Sequence, residues 1–252
     1  DGQGGIFSPD GLHYYQIKQS DANSIYHYTL STAFDISSSS MTFTGGNSSH
    51  GFSTALYGAR ISGDGTKVYA MQYGNGYLWQ ADVTTPYQTQ SGLTNPVSLH
   101  LQTDLGGPNA IYNHFWKSDG TKFYAWGNNS SPGEWSCSTP WDISTASHVI
   151  TLSGFPTYQS GGMNNGGFWM SADGTKMIVY ATDYYRLINY ELTTPWDLST
   201  LTYHSNIANF TNYANVRNIF FAGNNVFTDQ SGNQSLKKHT VRTSKHVLLW
   251  KV

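Results

Sequence analysis

Charge is what this 252-residue chain most conspicuously lacks: only 11% of its residues are Asp, Glu, Lys or Arg, and its formal net charge is −2. Such a balance builds no basic field to hold a phosphate backbone, so nucleic acid is not expected as a partner. Glutamate occurs twice, at Glu134 and Glu191. The single cysteine, Cys137, cannot close an intramolecular disulfide. Its place just before a repeated corner reads as packing. No apolar run reaches the roughly 18 residues a membrane span requires, so membrane insertion is not expected. What the chain has instead is 18 Tyr, 8 Trp, 12 Phe and 26 Gly. Aromatics fit a pleated surface and glycine breaks helices, so the composition points to strands and turns.

The strands come in repeats. An Asp-Gly turn stands at Asp10-Gly11, Asp64-Gly65, Asp119-Gly120 and Asp173-Gly174, with Asn224-Asn225 as a degenerate fifth copy. Successive spacings are 54, 55, 54 and 51 residues. A second marker keeps the same period: Phe34-Asp35-Ile36-Ser37, Thr85-Pro86-Tyr87, Thr139-Pro140-Trp141-Asp142-Ile143-Ser144 and Thr194-Pro195-Trp196-Asp197-Leu198-Ser199. Two unrelated markers in step identify a tandem array.

Each repeat reads as four strands, A to D. Strand A precedes the Asp-Gly turn, which is expected to be a tight hairpin with both central residues at positive φ. Strand C alternates polar and apolar residues, as in Ile25-Tyr26-His27-Tyr28, and ends at the Pro-aromatic corner. The expected fold is all-β: a five-bladed β-propeller of four antiparallel strands per blade, one domain over 1–252. The repeats fall at about 1–53, 54–108, 109–162, 163–213 and 214–252. The last strand D is expected at His246–Val252.

Strand A is expected innermost, with the D-to-A and B-to-C loops on one face and the turns and corners on the other. The D-to-A loops do not repeat, and variable loops on a repeated scaffold are where function is grafted. Their Tyr, Ser, Gly and Asn suit adaptable recognition. Candidate ligand residues there are His50, Tyr57, Arg60, Asn109, Tyr112, Asn113, Tyr158, Asn164, Asn165, Tyr213 and Arg217. The B-to-C loops add Tyr73, Trp135, Tyr184 and Tyr185.

Catalysis is not expected, because a propeller glycosidase needs carboxylates on its inner strands. Strands A carry none, and Asp21, Asp104, Asp183 and Asp229 are read as loop residues. The histidines show no ligand spacing, although His50 and His114 are read as near each other at the ring mouth. Asp21 and Asp183 occupy matching places in their repeats and are the candidate ligands for Ca²⁺, a cation that takes carboxylate and backbone oxygens; turn preference for Asp explains the same match.

Ser118-Asp119-Gly120-Thr121-Lys122 followed by Thr139-Pro140-Trp141-Asp142-Ile143-Ser144-Thr145, and the copy from Ser171 to Thr200, resemble repeats of bacteriophage tail and spike proteins and of marine bacterial surface proteins. The chain also resembles the receptor-binding spikes of corticoviruses, marine phages with an internal membrane. The resemblance implies a virion-surface attachment head with bound calcium, recognising a host-surface glycan or protein. It implies other virion proteins as partners through a region ahead of Asp1, whose Met-less start reads as a trimmed tip. A bacterial extracellular lectin or adhesion propeller is the alternative.

Overall fold

The two sequence markers share a period because they touch each other. A computed structural model of the chain describes residues 2–53, 55–106, 111–127, 131–153, 165–181, 186–209, 216–222, 225–230 and 235–240. In the third repeat the Gly120 N–H donates to the Lys117 carbonyl (2.9 Å), closing the turn, and the Trp141 N–H donates to the Gly120 carbonyl (2.9 Å). Gly120 has φ +72°, and a Cβ there would lie 2.5 Å from the Trp141 ring. Phe34, Tyr87 and Trp196 cover Gly11, Gly65 and Gly174 in the same way. These corner aromatics themselves take left-handed backbone, with φ from 57° at Phe34 to 65° at Trp141.

The turn differs from the expected hairpin. Only the glycine has positive φ; none of the four turn aspartates does. These are type I turns with Asp third and Gly fourth. The carboxylate explains the choice, since Asp119 Oδ1 accepts from the Thr121 N–H (3.0 Å) and hydroxyl (2.7 Å), fastening the chain just past the turn. At the corners, Asp142 and Asp197 cap short 3₁₀ turns at Ile143–Thr145 and Leu198–Thr200.

Five antiparallel sheets follow in chain order and form a five-bladed β-propeller. Blade 1 is β1 (Gly2–Phe7), β2 (His13–Lys18), β3 (Ser24–Leu30) and β4 (Met41–Asn47); blade 2 is β5 (Leu56–Ile61), β6 (Lys67–Gln72), β7 (Tyr77–Val83) and β8 (Leu93–His100). Blade 3 is β9 (Ile111–Trp116), β10 (Lys122–Gly127), β11 (Gly133–Cys137) and β12 (Ala146–Thr151); blade 4 is β13 (Asn165–Met170), β14 (Lys176–Ala181), β15 (Arg186–Leu192) and β16 (Leu201–Asn209). Blade 5 has β17 (Val216–Ala222), β18 (Asn225–Gln230) and β19 (Ser235–Thr240) among the described residues. The strand expected at His246–Val252 lies outside them.

The first strand of each blade lines the axis. Burial is divided into five apolar layers, one between each pair of neighbouring blades. Tyrosines of the second strands latch three of these layers to the next corner. Tyr15 Oη donates to the Tyr87 carbonyl (2.7 Å), Tyr69 Oη to Trp141 (2.6 Å) and Tyr124 Oη to Trp196 (2.8 Å). Glu134 serves the same purpose: it pairs with Lys122 (2.6 Å) and accepts from the Leu198 N–H of blade 4 (2.8 Å).

The seam between blades 5 and 1 uses different parts. Asp229 is buried in β18 rather than in a loop, and its carboxyl accepts from Tyr14 Oη (3.1 Å) and Gln16 Nε2 (3.3 Å) of blade 1. Burial outweighs these bonds and pushes Asp229 up to about 6. The Asn218 amide completes the seam by donating to the Gly5 carbonyl.

Candidate functional site

Six residues ahead of each turn position stand Gly4, Gly58, Asn113, Gly167 and Asn218, three glycines and two asparagines around one level of the ring. The strands bulge here: register slips between Gly2 and Gly5, Tyr57 and Arg60, Asn165 and Phe168, and Val216 and Asn218. Glycine is required where backbones meet. A Cβ on Gly58 would lie 2.8 Å from the Tyr112 carbonyl, and one on Gly167 would lie 2.9 Å from the Asn218 Cα. The asparagines fill the space left over, Asn113 Nδ2 donating to Asn218 Oδ1 (2.9 Å) across the axis.

Arg60 reaches this level from blade 2. Its Nε donates to the His114 carbonyl (2.8 Å), and its Nη2 donates to Asn113 Oδ1 (3.0 Å) and Asn218 Oδ1 (3.1 Å). The side chain is 5% exposed. Burial lowers its pKa to about 9, which still leaves it charged at neutral pH, and no carboxylate offsets the charge among the described residues. Together these residues form a polar plug that divides the axis into two ends.

At the loop end three tyrosines cluster. Tyr57 is the second residue of β5, Tyr112 lies in β9 and Tyr73 follows β6. Ring centroids are 5.0 Å apart for Tyr57 and Tyr73, 5.6 Å for Tyr57 and Tyr112, and 5.4 Å for Tyr73 and Tyr112. Tyr57 is buried beneath and Tyr73 is 41% exposed on top. The expected loop-face group is thus brought together for Tyr57, Tyr73 and Tyr112. Arg60 and Asn113 lie in the plug beneath them, in strands rather than loops.

Other candidates are placed elsewhere. His50 is buried and accepts from the Phe52 N–H (3.1 Å), with Nε2 3.2 Å from the Asn23 carbonyl. His114 is inside β9 beside Tyr69, so the two histidines are seated on separate partners. Trp135 is a core residue, stacked on Phe123 at 5.2 Å and donating to Asp104 (3.0 Å). Asn165 and Arg217 belong to β13 and β17. Asn109, Tyr158, Asn164, Tyr184, Tyr185, Tyr213 and Asp183 lie outside the described residues. Asp21 is exposed and accepts from Tyr26 Oη (2.9 Å). No group of three or more His, Cys, Asp or Glu is gathered for a metal among the described residues.

The turn end holds what the sequence reading missed: a cavity of about 500 Å³ on the axis. One level of its wall is Ile6, Arg60, Phe115, Trp169 and Phe220, four residues ahead of each turn position; the next is Phe7, Ile61, Trp116, Met170 and Phe221. Pro9, Gly63, Ser118 and Ala172 form the rim beside Trp141 and Trp196. Five residues at the same repeat position share no chemistry except bulk, so no motif marks them.

No family model and no curated protein matches the sequence. Solved structures do match the fold. The periplasmic gluconolactonase PpgL of Pseudomonas aeruginosa superposes with a TM-score of 0.55 at 16% identity, over 98% of this chain and 68% of that one. A 6-phosphogluconolactonase-like protein of Bacteroides uniformis gives 0.53 at 14% identity, over 82% of this chain and 55% of that one. The β-propeller domain of Cps50 (Swd1) from Myceliophteria thermophila gives 0.54 at 10% identity, over 99% and 85%. This chain therefore spans between about half and most of the length of the propellers it resembles. At such identities the likeness establishes the fold alone. It also corrects the exclusion of catalysis drawn from acid-poor inner strands, because the shared architecture is one on which lactonases are built.

Proposed function

We propose that this propeller is a recognition module: the receptor-binding head of a phage spike or tail fibre, displayed on the virion and holding a host-surface glycan or protein at its loop end. The observation that carries the reading is the Tyr57, Tyr73 and Tyr112 cluster, with Tyr73 exposed above two supported rings. Stacked tyrosines give rigid apolar area with hydroxyls at the edge, which suits the faces and rims of sugar rings. The resemblance of the repeat phrases to those of phage spikes and the low net charge support the same reading.

Labelled domain should bind saturably to intact cells of a marine bacterial host and compete with phage adsorption. Tyr73→Ala should weaken that binding at least tenfold with the melting temperature unchanged, and a chelator arm assigns calcium its part. Unaltered binding by Tyr73→Ala would sink the proposed surface. Binding without competition against phage would favour a bacterial adhesion propeller, the reading supported by the likeness to marine bacterial surface proteins.

A further inference from the structure

The cavity at the turn end contains an electrostatic imbalance. Of the residues lining it, Arg60 is the only charged one, and the others are almost all apolar or aromatic. A guanidinium carries five N–H groups. The one on Nε and the two on Nη2 are used on His114, Asn113 and Asn218, whereas Nη1 is buried with no acceptor. Trp116, on the same wall, has a buried indole N–H that also lacks an acceptor. Both unpartnered polar atoms on this wall are donors. A buried polar group without a partner costs about 1–3 kcal/mol and a buried charge costs more. Arg60 is the uncompensated charge of this wall, and an anion brought into the cavity would offset it.

We propose that this cavity is a second ligand site, separate from the tyrosine face, for a small monocarboxylate with an apolar body. The carboxylate faces the charge of Arg60 at the plug, and the apolar body lies against Phe115, Trp169 and Phe220. One cation matches one negative charge, so a phosphomonoester dianion fits less well. The volume is that of ordinary small-ligand pockets, about 300–1,000 Å³. Entry is from the turn end, past Ala172, which is exposed on the rim.

The test is titration calorimetry with phenylacetate and indole-3-acetate, each against its neutral amide, and with inorganic phosphate. The acids should bind at least tenfold more tightly than their amides and than phosphate. Ala172→Phe, which narrows the mouth without touching Arg60, should abolish binding with the fold intact by circular dichroism. Arg60→Gln should erase the preference for acid over amide. If that variant does not fold, Ala172→Phe decides. Equal affinity for acid and amide, no heat from either acid at millimolar concentration, or undiminished binding by Ala172→Phe would each overturn the proposal. Tyr73→Ala should leave acid binding unchanged, so failure of the attachment reading and failure of this one are read separately.

Discussion

The two ends of the axis are built on opposite principles. At the loop end the backbone varies from blade to blade, and the described functional group is three like side chains, Tyr57, Tyr73 and Tyr112. At the turn end the first four blades repeat the same backbone turn, each corner ring over its glycine, yet side chains as unlike as Ile6, Arg60 and Trp169 face the axis. Regular backbone is therefore no sign of an inert surface. Repetition fixes where a residue points and leaves its chemistry free, and that freedom is what the cavity uses.

The comparison breaks most sharply if the turn end is not core. Trp116→Ala should cost about 3–5 kcal/mol in chemical denaturation, because a buried ring packed against Tyr69, Phe123 and Trp141 is removed. Tyr73→Ala, at the other end, should stay within about 0.5 kcal/mol. Near-equal losses would mean that the two ends carry the same structural weight.

A second test addresses the level of the plug between them. Burial raises the folded pKa of Asp229 to about 6, above the ordinary carboxylate value of 3.8. The fold therefore favours the protonated form, whose contribution is fully present below about pH 4 and lost as pH rises through 6. The stability of wild type minus that of Asp229→Asn should fall by roughly 2 kcal/mol between pH 4 and pH 7. Taking the difference matters, because His27 at the seam of blades 1 and 2 runs the other way. Burial lowers it to about 4, so its contribution is present above pH 6.5 and fades as pH falls. A flat difference would mean that Asp229 is not the titrating group at the closing seam.

The smallest expected contrast compares two glycines at positive φ. Gly74, at the loop end, has open space where a Cβ would go, whereas Gly120 would meet Trp141. Gly74→Ala should cost about 1 kcal/mol of backbone strain alone. Gly120→Ala should cost about 2 kcal/mol more, since the corner must shift as well. Equal losses would detach the corner aromatic from the turn.

Much of the fold was legible because its markers are contacts: the corner ring lies on the turn glycine, so neither drifts without the other. The turn type was misread because Asp-Gly alone does not reveal the Asp119 carboxylate bonding forward to Thr121. Arg60 was singled out from sequence, but as a loop residue. Its actual partners, His114, Asn113 and Asn218, come from blades 3 and 5 and are joined to it only by ring closure. The closing seam was illegible for a related reason. Asp229, Tyr14 and Gln16 occur once each in their roles, so no period announces them.

The tyrosine latches have a direction. Blade 1 donates to the corner of blade 2, blade 2 to that of blade 3, and blade 3 to that of blade 4. An emerging chain would therefore complete each of its first three blades only with the corner of the next, at Tyr87, Trp141 and Trp196. Growth by this route is vectorial, with one unfinished edge carried forward at every stage until Asp229 meets Tyr14 and the edge disappears.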